Sequence, residues 1–233
     1  MTLTLLSLIV AQSPVRIESV IPNNFRSAEF TAVKTSGNQK ELAKINEDFG
    51  MSYRFSRTKV TIKEPFMLRL EGKVEDTSAV FVTNGTRKMF KAPRSKLSIK
   101  DNTANSPGKR QTVLDFGLVV PSLFTELFDA KFVRTDRSGL AVFDLLYKAK
   151  YDYKQRHRVF MDTEKKVPVK REWYAQDGRL MATFFYSGFV QDGGLYFPTT
   201  YEVKNADNVV AGGIKYQGLK LNGSVSDSLF EIK

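Results

Sequence analysis

The chain is 233 residues long, 42% hydrophobic and 12% aromatic, with no cysteine, a single histidine and a formal net charge of +11. That length suits one β domain or two small ones with a sizeable buried core. The missing cysteines exclude disulfides, thiolate metal ligands, a cysteine nucleophile and a lipid-modified N-terminal cysteine, and one histidine leaves zinc and Ser-His chemistry without most of their parts.

The charge is concentrated. Residues 51–110 carry 14 Lys/Arg against five Asp/Glu, a local excess of +9. Such an excess attracts an anionic membrane surface, nucleic acid or an acidic protein, or it belongs to a solvated outer sheet face whose lysines discourage edge pairing.

In chain order, Leu3 to Ala11 is an apolar run too short to span a bilayer, and Ala11-Gln12-Ser13 is a small-x-small cleavage pattern. Residues 1–13 therefore read as a secretory signal, although no basic residue precedes the apolar run and Pro14 follows the cut. Residues 14–233 read as one domain. Val15, Ile17, Val20 and Ile21 fit a short strand or a helical turn, and Phe25 to Val33 fits either helix or strand. A helix is predicted from about Gln39 to Phe49, with Leu42, Ile45 and Phe49 at helical spacing and Gly50 as its stop.

From Met51 the apolar period becomes two, the mark of strands with one buried face. Met51, Tyr53 and Phe55 share one face, and Val60 and Ile62 have the opposite parity, which asks for a bulge near Ser56-Arg57. Phe66, Leu68 and Leu70 open the next strand, and Asn84-Gly85 turns a hairpin containing Phe81. Asp101 to Gln111 reads as a polar loop, long enough to be mobile. Val113 to Phe128 breaks the pattern: Pro121-Ser122 can start a helix whose Leu123, Phe124, Leu127 and Phe128 form one apolar stripe. Strands then resume, with Arg156 to Met161 among them and His157 at an exposed position.

Val167 to Val203 reads as a β-meander turned at Asp177-Gly178 and Asp192-Gly193-Gly194, with Leu195, Phe197, Thr199, Tyr201 and Val203 on one face of a continuous strand. Trp173 reads as a packing residue. Val209 to Leu221 is the final strand. Ten or eleven strands joined by short turns are expected to curl into a mainly β, curved antiparallel sheet, an unclosed barrel with a helix against its inner face. The carboxylates Glu164, Glu172, Asp177 and Asp192 sit mainly at turns, no glycine loop precedes a helix, and no metal or cofactor site is expected.

The order of motifs resembles the LolA-like group of outer-membrane lipoprotein-sorting proteins. It runs strand, Pro65, strand with Arg69, strand, Asn84-Gly85, strand, Pro93; then Asp162 with Pro168-Val169, Asp177-Gly178, Phe197-Pro198-Thr199, and Leu221-Asn222 with Asp227 and Phe230. The resemblance implies a half-barrel whose apolar interior, lidded by helices, holds acyl chains of lipids or lipoproteins. It implies as lining Phe66, Leu68, Leu70, Phe81, Phe184, Tyr186, Phe197 and Tyr201, and as lid Leu123, Phe124, Leu127 and Phe128. In the carriers an arginine before the proline helps hold the lid closed; here that place is Glu64, so that latch does not transfer.

The expected function is non-catalytic: an exported or periplasmic monomer that binds lipid acyl chains or lipoproteins for carriage or sorting toward the outer membrane, with residues 51–110 available to an anionic membrane surface. An envelope sensor binding a protein partner is the alternative. Nucleic acid is not an expected partner, because no RNP-type aromatic motif accompanies the basic region. If residues 1–13 are a signal, N-terminal sequencing of the native protein is expected to begin near Pro14; an intact Met1 in a cytosolic fraction contradicts it.

Overall fold

The computed structural model describes residues 14–74, 77–92, 94 and 96–232, so the export-like segment 1–13 and Pro93 lie outside the described residues. A 3₁₀ turn, Ile17–Ser19, settles the first ambiguous stretch as helical. β1 (Ser27–Gly37) settles the second as strand, and α1 (Gln39–Ile45) and α2 (Glu47–Ser52) follow. Then come β2 (Arg57–Lys63), β3 (Met67–Val74), β4 (Thr77–Asn84), β5 (Arg87–Ala92) and β6 (Leu97–Asn102). A long connection containing α3 (Pro121–Glu126) leads to β7 (Phe128–Thr135), β8 (Ala141–Tyr147), β9 (Arg156–Asp162), β10 (Val167–Tyr174) and β11 (Leu180–Ser187). A side hairpin of β12 (Val190–Asp192) and β13 (Leu195–Phe197) precedes β14 (Thr200–Asn205) and β15 (Val210–Leu221).

Thirteen of these strands form one antiparallel sheet in the order β6-β5-β4-β3-β2-β1-β15-β14-β11-β10-β9-β8-β7. The first and last strands of the chain pair at its middle, Ala28 opposite Leu221. β6 and β7 are therefore opposite, unpaired edges, and the sheet stays open. The mainly β, unclosed half-barrel is thus the fold, with more strands than the ten or eleven counted from turns.

Side-chain alternation gives the sheet one heavily buried inner face. Its main apolar cluster takes Phe30 from β1, Val60 and Ile62 from β2, Leu68 from β3, Phe143 and Leu145 from β8, and Val159 and Met161 from β9. A second cluster forms where Leu42 and Ile45 of α1 and Tyr53 after α2 cover Ala182, Phe184, Tyr186 and Val203. On the outer face of β3 to β5, Val82 and Met89 are covered by the C-terminal tail through Val225 and Phe230. Asn222 accepts from the Arg26 N–H at 2.7 Å, and Lys63 Nζ donates to the Val225 carbonyl at 2.9 Å, which ties the tail down. The outer face of the basic region is thus partly covered rather than wholly solvated.

Four sequence expectations fail locally. The single helix from Gln39 to Phe49 is two, because Asn46 adopts an extended backbone and its side chain caps the second helix through the Phe49 N–H. The alternation at Met51, Tyr53 and Phe55 is the end of α2 and the turn after it, not a strand; β2 begins at Arg57. Leu195 to Val203 is not continuous: Pro198, which has no N–H to donate, separates β13 from β14. Asp101 to Gln111 is not wholly a solvated polar loop: Asp101 and Asn102 end β6, Thr103 and Arg110 are buried, and Thr103 bonds the Thr86 carbonyl through both its N–H and its hydroxyl.

Candidate functional site

Residues 103–127 connect β6 to β7, which lie at opposite edges of the sheet, so this segment must cross the inner face. The sequence equips it for that crossing. Val113, Leu114, Leu118, Val119, Val120, Leu123 and Leu127 are all buried in the main cluster. The 3₁₀ turn Val113–Phe116 starts with a capping box: Asp115 accepts from the Thr112 N–H at 2.9 Å while the Thr112 hydroxyl accepts from the Leu114 N–H. Gly117 ends the turn at a φ of 82°, and a Cβ there would stand 2.6 Å from the Tyr186 ring. Only glycine allows the strap this close to the sheet.

Polar contacts fasten the strap at three places. The Ser122 hydroxyl, in the first turn of α3, donates to the Glu64 carboxylate between β2 and β3. Glu126 accepts from the Tyr151 hydroxyl at 2.9 Å and faces Arg110 Nη1 at 3.6 Å, while the buried Arg110 guanidinium lies over the Phe66 ring. Asp115 faces Arg171 Nη1 on β10 at 3.5 Å. The position that departs from the carriers' arginine therefore does touch the strap, with a carboxylate meeting a hydroxyl.

The expected site residues divide. Leu68 and Phe197 are buried in the main cluster, and Phe66, Leu70, Phe81 and Tyr201 are partly buried against it. Leu123, Leu127 and Phe128 are buried in the same cluster, with Phe124 partly exposed beside them. Phe128 belongs to β7, not to the helix, so the predicted four-residue stripe spans a helix-strand junction. Phe184 and Tyr186 are in the second cluster, under α1 and α2 rather than under α3. Tyr201 touches both clusters and joins the two halves of the inner face.

His157 is buried, not exposed: Arg156 and Arg158 flank it and face outward to Asp144, which turns the imidazole inward beside Trp173. Burial, with Arg171 nearby, pushes its pKa well below the usual value, so the ring is neutral. Trp173 packs as expected, its indole N–H donating to Gln155.

Sequence reasoning passed over Arg171, Asp115 and Tyr216. Arg171 is 3% exposed in the middle of the inner face, its guanidinium 4.1 Å from the Phe184 ring centroid. The signal was present: in Val167, Val169, Arg171 and Trp173 a charged residue holds a place of the apolar parity. Tyr186, Tyr201 and Tyr216 stand around it, with Tyr53 against Tyr201, and burial raises all four phenol pKa values, that of Tyr201 to about 12, so the hydroxyls are neutral donors.

This architecture is LolA-like. It matches an outer membrane lipoprotein-sorting protein domain from Vibrio parahaemolyticus at a TM-score of 0.60 and 12% identity, over 92% of each chain. A LolA superfamily protein from Nitrosomonas europaea matches at 0.63 and 17% identity, over 93% of this chain and 96% of that one. A DUF1329 family protein from Desulfovibrio piger matches at 0.61 and 12% identity, over 93% of each. A family model described as an uncharacterized protein matches residues 120–233. No curated protein matches.

Burial raises the Glu64 pKa, and the Ser122 hydroxyl offsets this only in part. A raised folded-state pKa means that folding favours the protonated form. The stability it contributes is full below the ordinary glutamate range and is lost as pH rises through the folded value. Relative to Glu64→Gln, the natural protein is therefore expected to lose stability as pH rises above the ordinary glutamate range, read by urea unfolding of both proteins. Parallel pH profiles contradict this.

Proposed function

We propose that the protein is a non-catalytic, exported carrier or binder of lipid acyl chains or lipoproteins, with the chain held on the inner face beneath and beside the strap. The observation that carries this is the uneven filling of that face. Leu68, Leu123, Leu127 and Phe197 are sealed, yet Phe66, Leu70, Phe81 and Phe124, packed against the same cluster, keep partial exposure. Large apolar side chains left partly exposed against the cluster that the strap covers are where a chain can enter. Each methylene withdrawn from water there contributes about 0.8 kcal/mol, so a long acyl chain offsets a substantial ordering cost. Periplasmic location and sorting toward the outer membrane are part of the same reading, supported by the export-like N-terminal residues and by what the Vibrio parahaemolyticus relative is described as doing.

A second reading, an envelope sensor that binds a protein, has one observation in its favour. All six residues of β6 are exposed at the sheet edge, with Leu97 at 42% and Ile99 at 52%. A strand from a partner could add there.

Two substitutions separate cover from core. Leu123→Ala, in the sealed layer, is expected to cost ~2–5 kcal/mol of stability. Phe124→Ala is expected to cost much less than the ~3–5 kcal/mol of a fully buried phenylalanine and to lower uptake of a fluorescent fatty acid or lipopeptide. If Phe124→Ala unfolds the protein and the natural protein takes up no lipidic probe, the carrier reading fails.

The basic residues give a further expectation. If those of residues 51–110 recruit an anionic membrane, binding to vesicles containing phosphatidylglycerol should fall steeply as salt rises to physiological strength, where the Debye length is ~8 Å. Equal binding to purely phosphatidylcholine vesicles contradicts membrane recruitment by charge.

A further inference from the structure

The Arg171 cluster is more than a fastening of the strap, because it carries more buried donors than the acceptors that meet them. A buried guanidinium needs paired acceptors, and an unpaired one is costly. Arg171 has one ionic neighbour, Asp115, at a loose 3.5 Å, and that carboxylate is itself 42% exposed. Among the described residues the Nε of Arg171 and the buried hydroxyl of Tyr216 have no hydrogen-bond partner, and the Tyr186 hydroxyl, whose one polar neighbour is the Arg171 guanidinium itself, has no acceptor for its proton. Tyr53 and Tyr201 bond weakly to each other at 3.4 Å. Unmet donors thus converge on one region of an otherwise apolar face, while Phe184 supports the guanidinium from beneath.

The apolar face continues directly from this cluster. The Tyr216 ring packs against that of Phe30, tilted at 42° with centroids 4.4 Å apart, and Phe30 is paired across β1 and β2 with Val60, itself opposite Leu70 of β3. Tyr216 is three strands from Leu70, roughly 14 Å along the sheet at about 4.8 Å per strand.

We infer that Arg171, with the hydroxyls of Tyr186 and Tyr216, forms a head-group subsite for the carboxylate of a single-chain fatty acid whose tail lies along the inner face toward Leu70. This rests on the acyl-binding reading above and names its ligand class. A carboxylate fits better than a phosphate: it is planar like the guanidinium fork, and its single negative charge matches the single buried positive charge. Asp115 competes for the same nitrogen, and its exposure lets it turn to water when the ligand arrives. Because Asp115 also caps the 3₁₀ turn of the strap through Thr112, the exchange is felt by the cover.

The test compares palmitic acid with its methyl ester, which keeps the chain and removes the charge, by displacement of a neutral fluorescent acyl probe from the delipidated protein. The acid is expected to bind about 10–100-fold more tightly than the ester, the range of a buried hydrogen-bonded charge. Arg171→Gln is expected to bring the two within about 3-fold by lowering affinity for the acid alone. Asp115→Asn is expected to raise affinity for the acid and leave the ester unchanged, a gain that a folding defect cannot imitate. Acetate at millimolar concentration is expected not to compete.

Equal binding of acid and ester to the natural protein overturns the subsite and leaves the acyl-chain reading standing. Binding of neither overturns both. Competition by acetate alone marks a free-anion site and overturns the lipid assignment. If Arg171→Gln does not fold, the acid-ester ratio of the natural protein and the Asp115→Asn shift still decide.

Discussion

The structure depends on a topological constraint. The terminal strands pair at the centre of the sheet, so the chain's own midpoint is left at its two outer edges, and residues 103–127 have to bridge them. A connection of that kind cannot stay on the periphery. It must cross the inner face and satisfy its backbone there, which explains the capping box at Thr112 and Asp115, the left-handed Gly117 and the apolar run from Leu118 to Val120. The same constraint makes the cover a strap held at both ends rather than a free flap. Its apolar contacts stabilise it, while the bonds at Glu64, Glu126 and Arg171 are few and partly solvent-facing.

Two covers share one face. α1 and α2 close the region of β11, β14 and β15 with Leu42, Ile45 and Tyr53, and the strap closes the region from β2 and β3 across to β8 and β9. Tyr201 and Ile214 pack against both clusters at the seam, and the polar groups of Arg171, Tyr186 and Tyr216 gather near it. An inner face that is apolar along its length and donor-rich at one place is organised to receive an amphiphile lengthwise. A purely structural core gains nothing from leaving those donors unmet.

Much of the fold was legible because alternation and turn chemistry are local. Val210 to Leu221 and Arg156 to Asp162 match their predicted strands within a residue, and Gly85 and Gly178 take the positive φ values that their turns need. What misled was local pattern overruled by a neighbour. Asn46 restarts a helix that carries the chain through Met51, and Pro198 interrupts a strand whose alternation runs on past it. His157 was misread from its charged flanks, although outward Arg156 and Arg158 require an inward residue between them. The pairing of β1 with β15, and hence the path of the strap, joins residues nearly two hundred positions apart and leaves no local trace. For the site, the large apolar residues were visible one by one, but their division between two covers was not. Arg171 was hidden by the habit of assigning arginine to the surface.

The central claim is that the strap covers a chain-binding face, and amide hydrogen exchange tests it most directly, with and without a saturating long-chain lipidic probe. The probe is expected to change protection in residues 103–127 and in β3, while the C-terminal tail from Val225 to Phe230, which packs on the outer face, exchanges as before. A probe that leaves the exchange of the strap unchanged, or alters every strand alike, would contradict it.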